Sequence, residues 1–85
     1  MFDWDESNTD HIAQHDVEPW EAEEAATDRG RVPFTAHSGR TGFIGRTDDG
    51  RVLVVVLGRK ARLWRVVTAR EATRGEKRAY RRYNR

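Results

Sequence analysis

The sequence predicts an α+β fold: two N-terminal helices, an antiparallel β-meander of three or four strands, and a C-terminal helix. Residues 42–47 and 51–57 flank an Asp-Asp-Gly turn, which is typical of a β-hairpin because glycine tolerates positive φ. Pro19 precedes a run rich in alanine and glutamate, and proline is favoured at the first position of a helix. Thr73 and Glu76 have the spacing of a capping box, which begins the last helix.

Before the hairpin, the chain alternates between helix and strand signals. Phe2 and Trp4 alternate with acids, which indicates a short strand or an extended lead-in. A first helix is expected over residues 6–15 and a second over residues 19–27. Residues 32–34 contain a proline, which cannot donate a ladder hydrogen bond, so this strand is expected at the edge of the sheet.

After the hairpin, residues 62–68 are predicted to complete the sheet and residues 74–83 to form the last helix. Thr68 and Glu71 form a second capping-box pattern, which predicts that the strand ends at about Thr68. Arg70 would then lie beside a helix start, where free N–H groups favour an anion.

The length and composition exclude several classes of protein. Eighty-five residues are expected to form one domain, 1–85, with a thin core and no large enclosed active site. The absence of cysteine excludes disulfides and thiolate metal sites and fits a reducing cytoplasm. The acidic N-terminus does not resemble a signal peptide, and the longest apolar run, residues 52–57, is too short to span a membrane. We therefore expect a cytoplasmic protein.

The charge is unevenly distributed along the chain. Residues 1–28 hold ten acids and no lysine or arginine, whereas residues 29–85 hold sixteen cations and four acids. Such asymmetry indicates a polyanionic partner for the basic part, or shielding of it by the acidic part. The residues expected to attract a nucleic acid, such as RNA, are Arg62, Arg74, Lys77, Arg78, Arg81 and Arg82.

Two groups of side chains could carry chemistry. His11 and His15 are four residues apart on a predicted helix, but no third ligand completes a metal site, so we expect neither a metal nor a cofactor. Arg46, Arg65 and Arg70 lie in or at the ends of neighbouring strands and could converge on a phosphodiester, with general acid–base help from a histidine. The alternative is an arginine-rich surface that binds nucleic acid or an acidic protein without cleavage.

Several motifs, in order, resemble the BrnT toxin family, small ribonucleases with a RelE-like fold. Phe2-Asp3-Trp4-Asp5 is similar to the family's opening F-x-W-D, His15-Asp16-Val17 to its H-G-V, and Arg65-Val66-Val67-Thr68-Ala69-Arg70 to its R-I-I-S-A-R. The resemblance implies a toxin that cleaves RNA, inhibits translation and is neutralised by a BrnA-like antitoxin, as a homodimer or a toxin–antitoxin complex. It implies catalytic roles for Arg65 and Arg70, and also for Arg46 and His15. A catalytically silent member that only binds nucleic acid or an antitoxin remains the alternative.

Overall fold

The computed structural model describes residues 1–85 and confirms the α+β class. Five strands form one sheet in the order β1-β5-β4-β3-β2. The strands are β1 (Phe2–Asp3), β2 (Val32–Thr35), β3 (Thr41–Arg46), β4 (Val52–Lys60) and β5 (Leu63–Glu71). The helices are α1 (Glu6–Ala13), α2 (Pro19–Ala26) and α3 (Arg74–Tyr83), and a short 3-10 turn covers His37–Gly39. No helix has the length and apolar character needed to cross a membrane.

The predicted sheet of three or four antiparallel strands is corrected to five strands of mixed direction. β1 pairs in parallel with β5, with Phe2 opposite Trp64 and Asp3 opposite Arg65. The remaining pairs are antiparallel, and β2 lies at the edge as predicted. Parallel pairing of two distant segments leaves no local turn signal in the sequence, which is why the alternation of Phe2 and Trp4 could not place this strand.

The end of β5 also differs from the prediction. The strand continues past Thr68 to Glu71, because Ala69 and Arg70 pair with β4. The Thr68–Glu71 capping-box pattern is therefore unused, and α3 begins at the Thr73–Glu76 pattern, where Glu76 N–H donates to Thr73 Oγ1 (3.2 Å). Arg70 is consequently a strand residue. β4 is nine residues long and continues to Lys60, beyond the end at residue 57 that was predicted from the sequence.

A β-bulge interrupts the β4–β5 ladder between Val56 and Leu57. Leu57 pairs with Val66 and Val55 with Ala69, so the bulge places both β5 side chains in the same core. The regular alternation of side chains between the two faces of the sheet is therefore broken in β5 beyond Val66.

The two faces of the sheet are covered differently. α1 and α2 pack on one face around a core that contains Ile12, Val17, Leu53, Val55 and Val66. On the other face, α3 covers a smaller cluster formed by Ile44, Val54 and Ala72 with Val32, Val52 and Tyr80 at its border. The remainder of that face carries Phe34, Gly42, Val56, Gly58, Val67 and Thr68, and we call it the open face.

A buried amide joins α1 to the sheet. Asn8 is only 4% exposed, and its Nδ2 donates to the carbonyl oxygens of Asp3 (2.9 Å) and Val66 (3.2 Å). Its Oδ1 accepts from Asp5 N–H, and Asp5 caps α1 in return through Asn8 N–H. Because β1 is only two residues long, Asn8 satisfies the Val66 carbonyl group at the point where the parallel ladder ends.

Candidate functional site

A groove of about 640 Å³ opens where the N-terminal half of α1 meets β5. α1, the loop between β2 and β3, β4 and β5 all contribute to it. The polar and aromatic residues in its lining are Ser7, Asn8, His11, Arg40, Thr41, Arg59, Trp64 and Arg65. The groove also reaches Gly58 and Val67, so it is continuous with the open face.

Arg65 is held in the groove by two carboxylates. Its Nη1 lies 2.9 Å from Asp3 Oδ2 and 3.0 Å from Asp5 Oδ2, and its Nη2 donates to Asp5 Oδ1 (3.0 Å). The hydrogen bonds with Asp5 and Asp3 raise the pKa of Arg65, and the same contact with Arg65 lowers the pKa of Asp5. Arg65 is therefore charged and oriented, but part of its positive charge is already neutralised.

Arg40 and Arg59 bring further positive charge to the groove. Neither takes part in an ion pair. The side chain of Arg40 reaches over β4, since a Cβ added to Gly58 would lie 3.8 Å from Arg40 Nε. The guanidinium of Arg59 lies 4.6 Å from the centre of the Trp64 ring, which is a cation–π contact. Neither Arg40 nor Arg59 was predicted from the sequence as a site residue. Both lie outside the motifs, and no sequence pattern links them to Arg65.

Two histidines lie together along α1. His11 lines the groove, three residues after Asn8. Its ring centre is 5.7 Å from that of His15, in an edge-on arrangement. α1 ends at Ala13, so His15 lies just beyond the helix rather than inside it as predicted. The sequence suggested only a metal-ligand role for His11, because its position beside β5 depends on the parallel pairing of β1 with β5. No set of three His, Cys, Asp or Glu side chains in the structure could hold a metal ion.

The three arginines expected to converge do not meet. Arg65 lies opposite Gly58 and Arg70 opposite Val54, and five residues along a strand correspond to about 17 Å. Arg46 pairs with Val52, at the same end of β4 as Arg70. The structure therefore places Arg65 in the groove, and Arg46 and Arg70 at the other end of the sheet.

Most of the residues expected to attract RNA lie on or near α3. Arg74, Arg78, Arg81 and Arg82 are exposed there without an ion pair, and Arg62 is exposed in the turn between β4 and β5. Lys77 differs, because its Nζ lies 2.9 Å from Glu71 Oε2.

The acid-rich helices α1 and α2 and the arginines of α3 lie on opposite sides of the sheet. The acid-rich segment 1–28 contains α1 and α2, whereas the arginines of α3 lie on the other face. Several of these acids have structural contacts: Glu23 accepts from Trp4 Nε1 (2.6 Å), Glu24 accepts from Asp48 N–H, and Glu21 pairs with Arg51. The acidic segment therefore leaves the basic side of α3 uncovered.

A comparison with protein-family models matches residues 4–76 to the ribonuclease toxin, BrnT, of type II toxin–antitoxin systems. The chain belongs to the BrnT toxin family. The matched segment contains the whole groove and ends in the first turn of α3, so it confirms the resemblance inferred from the motifs. No protein in a search of curated sequences matches the chain.

In this BrnT toxin, Arg70 joins β5 to α3. Its Nη1 and Nη2 donate to Glu76 Oε1 (2.8 Å) and Oε2 (3.0 Å) as a bidentate pair. Glu76 Oε1 also accepts from Thr73 N–H and thereby completes the cap of α3. The hydrogen bonds from Arg70, together with those at Thr73, lower the pKa of Glu76 to about 2.

This pKa shift predicts an acid-sensitive attachment of α3. Because the pKa of Glu76 is lower in the folded state, its stabilisation is present above pH 4.5 and is lost as the pH falls toward 2. The Glu76→Gln variant can still cap the helix, so it should lose only the charge effect. We expect the free energy of unfolding of the wild type to fall by about 1–2 kcal/mol more than that of Glu76→Gln between pH 6 and pH 3, after allowance for solvent screening.

Urea denaturation of the two proteins at both pH values measures this difference. Glu6→Gln is the matched control, because Glu6 also lies in the first turn of a helix but makes no ion pair. Equal acid sensitivity of Glu76→Gln and the wild type would contradict the proposed role of the Arg70–Glu76 pair.

Proposed function

We propose that this BrnT toxin is an endoribonuclease that cleaves RNA without a divalent metal and so inhibits translation. The observation that supports this proposal is the groove, which brings His11 together with Arg40 and Arg65. A group able to transfer a proton and two groups able to hold a phosphate are the minimum that RNA cleavage requires.

The reaction follows from the chemistry of these side chains. Arg40 and Arg65 hold the phosphodiester and stabilise the negative charge that develops on its oxygens. His11 accepts the proton of the 2′-hydroxyl group, and the 2′-oxygen attacks phosphorus as the bond to the 5′-oxygen breaks. A protonated histidine or water returns a proton to the leaving 5′-oxygen. The products are a 2′,3′-cyclic phosphate and a 5′-hydroxyl end.

The other residues expected from the sequence take supporting roles in this proposal. His15 positions the ring of His11 through their edge-on contact. Arg70 acts through Glu76 and the start of α3, and Arg46 contributes positive charge at the far end of the sheet. The exposed arginines of α3 and Arg62 attract the phosphate backbone at longer range.

The proposal extends to the partner and the cellular setting. As a type II toxin with a RelE-like domain over residues 1–85, the protein would act in the cytoplasm. A BrnA-like antitoxin would neutralise it, in a heteromeric complex or with a toxin homodimer. Co-expression of that antitoxin should relieve the growth arrest caused by the toxin.

A second candidate function is supported by the surroundings of Arg65. Asp3 and Asp5 already occupy its guanidinium, so the groove could bind RNA or an antitoxin without cleaving anything. In that case the chain would be a catalytically silent binding module of the family.

Incubation of the purified wild type with single-stranded RNA and excess EDTA distinguishes the two candidates. We expect cleavage that leaves cyclic phosphate ends, and growth arrest when the protein is expressed in a bacterial host. Binding of RNA without cleavage and without growth arrest would contradict the ribonuclease and support the binding module.

A further inference from the structure

We infer that Phe34 is a stacking platform for an unpaired base of the bound RNA, next to the groove on the open face. This inference rests on the proposed RNA substrate, but it does not require that the RNA be cleaved. It gives a binding role to the open face, the part of the sheet that α3 leaves uncovered.

The ring of Phe34 is seated against the sheet. Phe34 pairs with Gly42 across β2 and β3, and three of its ring carbons occupy the space that a side chain at Gly42 would need. Phe34 remains 37% exposed, although β2 and β3 lie beneath its ring. One side of the ring is therefore packed on backbone and the other side is accessible.

The platform lies close to the groove. Gly42 pairs with Val56, and Gly58 lies two residues further along the same strand. Gly42 and Gly58 are therefore separated by one strand spacing across the sheet and two residues along a strand, which together correspond to about 8 Å. Arg40 lies over Gly58, so a nucleotide whose phosphate contacts Arg40 could reach Phe34 with its base.

The chemistry of the open face favours a nucleobase. Gly42 and Gly58 carry no side chains, and Val56, Val67 and Thr68 are only partly exposed, so the surface beside Phe34 is shallow. Arg40 stands beside it without a carboxylate partner, which favours an anionic ligand. An aromatic ring next to unpaired arginine is the combination that binds single-stranded RNA, because every base has a face that can stack.

Stacking on the accessible side of the Phe34 ring is possible only for RNA with an unpaired base. A base paired inside a duplex is stacked on its neighbours and cannot lie flat on Phe34. We therefore expect single-stranded RNA, or a loop with one base turned outward, to bind in preference to a duplex.

The binding test uses an oligoribonucleotide with 2′-deoxy substitutions, which cannot be cleaved by attack of a 2′-hydroxyl group. Replacing Phe34 by leucine is expected to weaken its binding by about 5- to 100-fold, because a stacked base is lost. Phe34→Tyr keeps an aromatic ring and should bind within about threefold of the wild type. Trp20→Leu is the matched control, since Trp20 is 59% exposed but lies on α2, on the other side of the sheet.

A series of oligonucleotides with one abasic position each identifies the stacked base. Removal of the base at one position should reduce the affinity of the wild type for the oligonucleotide, and it should have no effect on the affinity of Phe34→Leu. Because Phe34 contacts no phosphate, the salt dependence of binding should be the same in both proteins. A thermal unfolding curve of each variant verifies that the fold is retained.

The outcomes separate this inference from the proposed function. Loss of affinity in Phe34→Leu with rescue by Phe34→Tyr supports the platform, even if the wild type does not cleave RNA. Unchanged RNA affinity in Phe34→Leu overturns it, even if the wild type is an active ribonuclease. If Phe34→Leu loses affinity for the antitoxin but keeps its affinity for RNA, the open face binds a protein partner, and this result also overturns the inference.

Discussion

His11→Asn is expected to lower the rate of RNA cleavage by about 10²- to 10⁴-fold, the usual contribution of a general acid or base. His11 is exposed on α1 and lines the groove with Arg40 and Arg65, so its replacement removes the proposed proton acceptor and leaves the proposed phosphate-binding groups in place. The affinity for uncleavable RNA should therefore change by less than about threefold. Single-turnover cleavage of a labelled RNA measures the rate, and a binding titration measures the affinity.

His37→Asn is the control for this experiment. His37 is also exposed, but it lies on the 3-10 turn and does not line the groove. We expect this variant to cleave at close to the wild-type rate. His15→Asn should have an intermediate effect, because His15 touches His11 rather than the groove. Wild-type cleavage by His11→Asn would remove His11 from the catalytic mechanism.

Asn8→Asp is expected to produce a large loss of stability, about 3 kcal/mol of the free energy of unfolding. A carboxylate cannot donate to the carbonyl groups of Asp3 and Val66, and it would place a charge at a position that is 4% exposed. β1 should separate from β5 more easily, which would also loosen the contacts of Asp3 and Asp5 with Arg65. Urea denaturation measures the loss.

Asn84→Asp is a closely matched control. The Nδ2 of Asn84 also donates to two carbonyl oxygens, those of Gly30 and Tyr80, both at 2.8 Å. Asn84 is exposed, so water can replace both hydrogen bonds and the loss should stay below about 1 kcal/mol. Equal losses in the two variants would show that burial of Asn8 is not what makes its amide important.

The elements that could be predicted from the sequence are those specified by neighbouring residues. The β3–β4 hairpin follows from its Asp-Asp-Gly turn, and Gly50 has the positive φ of 91° that such a turn uses. Pro19 begins α2, and Thr73 with Glu76 begins α3, as expected. In each case the relevant contacts span only a few residues, so local sequence contains the information.

The candidate site was predicted only in part, because its residues come from separate segments. Arg65 was selected from its position in the last strand, and it does line the groove. Arg40 follows a loop turn and His11 lies on α1, and neither has a sequence pattern that links it to Arg65. Arg70 was predicted to converge with Arg65 on a phosphodiester, but the continued β5 ladder places it beside Glu76.

The sequence by itself determined the α+β class, the hairpin, the helix starts, the separation of charge and the family. These depend on local backbone preferences and on ordered motifs, which are present in the chain before it folds. The tertiary structure alone decided that β1 joins β5, that a bulge redirects β5, and that α3 leaves part of the sheet open. These features depend on pairing and burial between residues as many as 62 positions apart, as for Asp3 and Arg65, where local propensity carries no information.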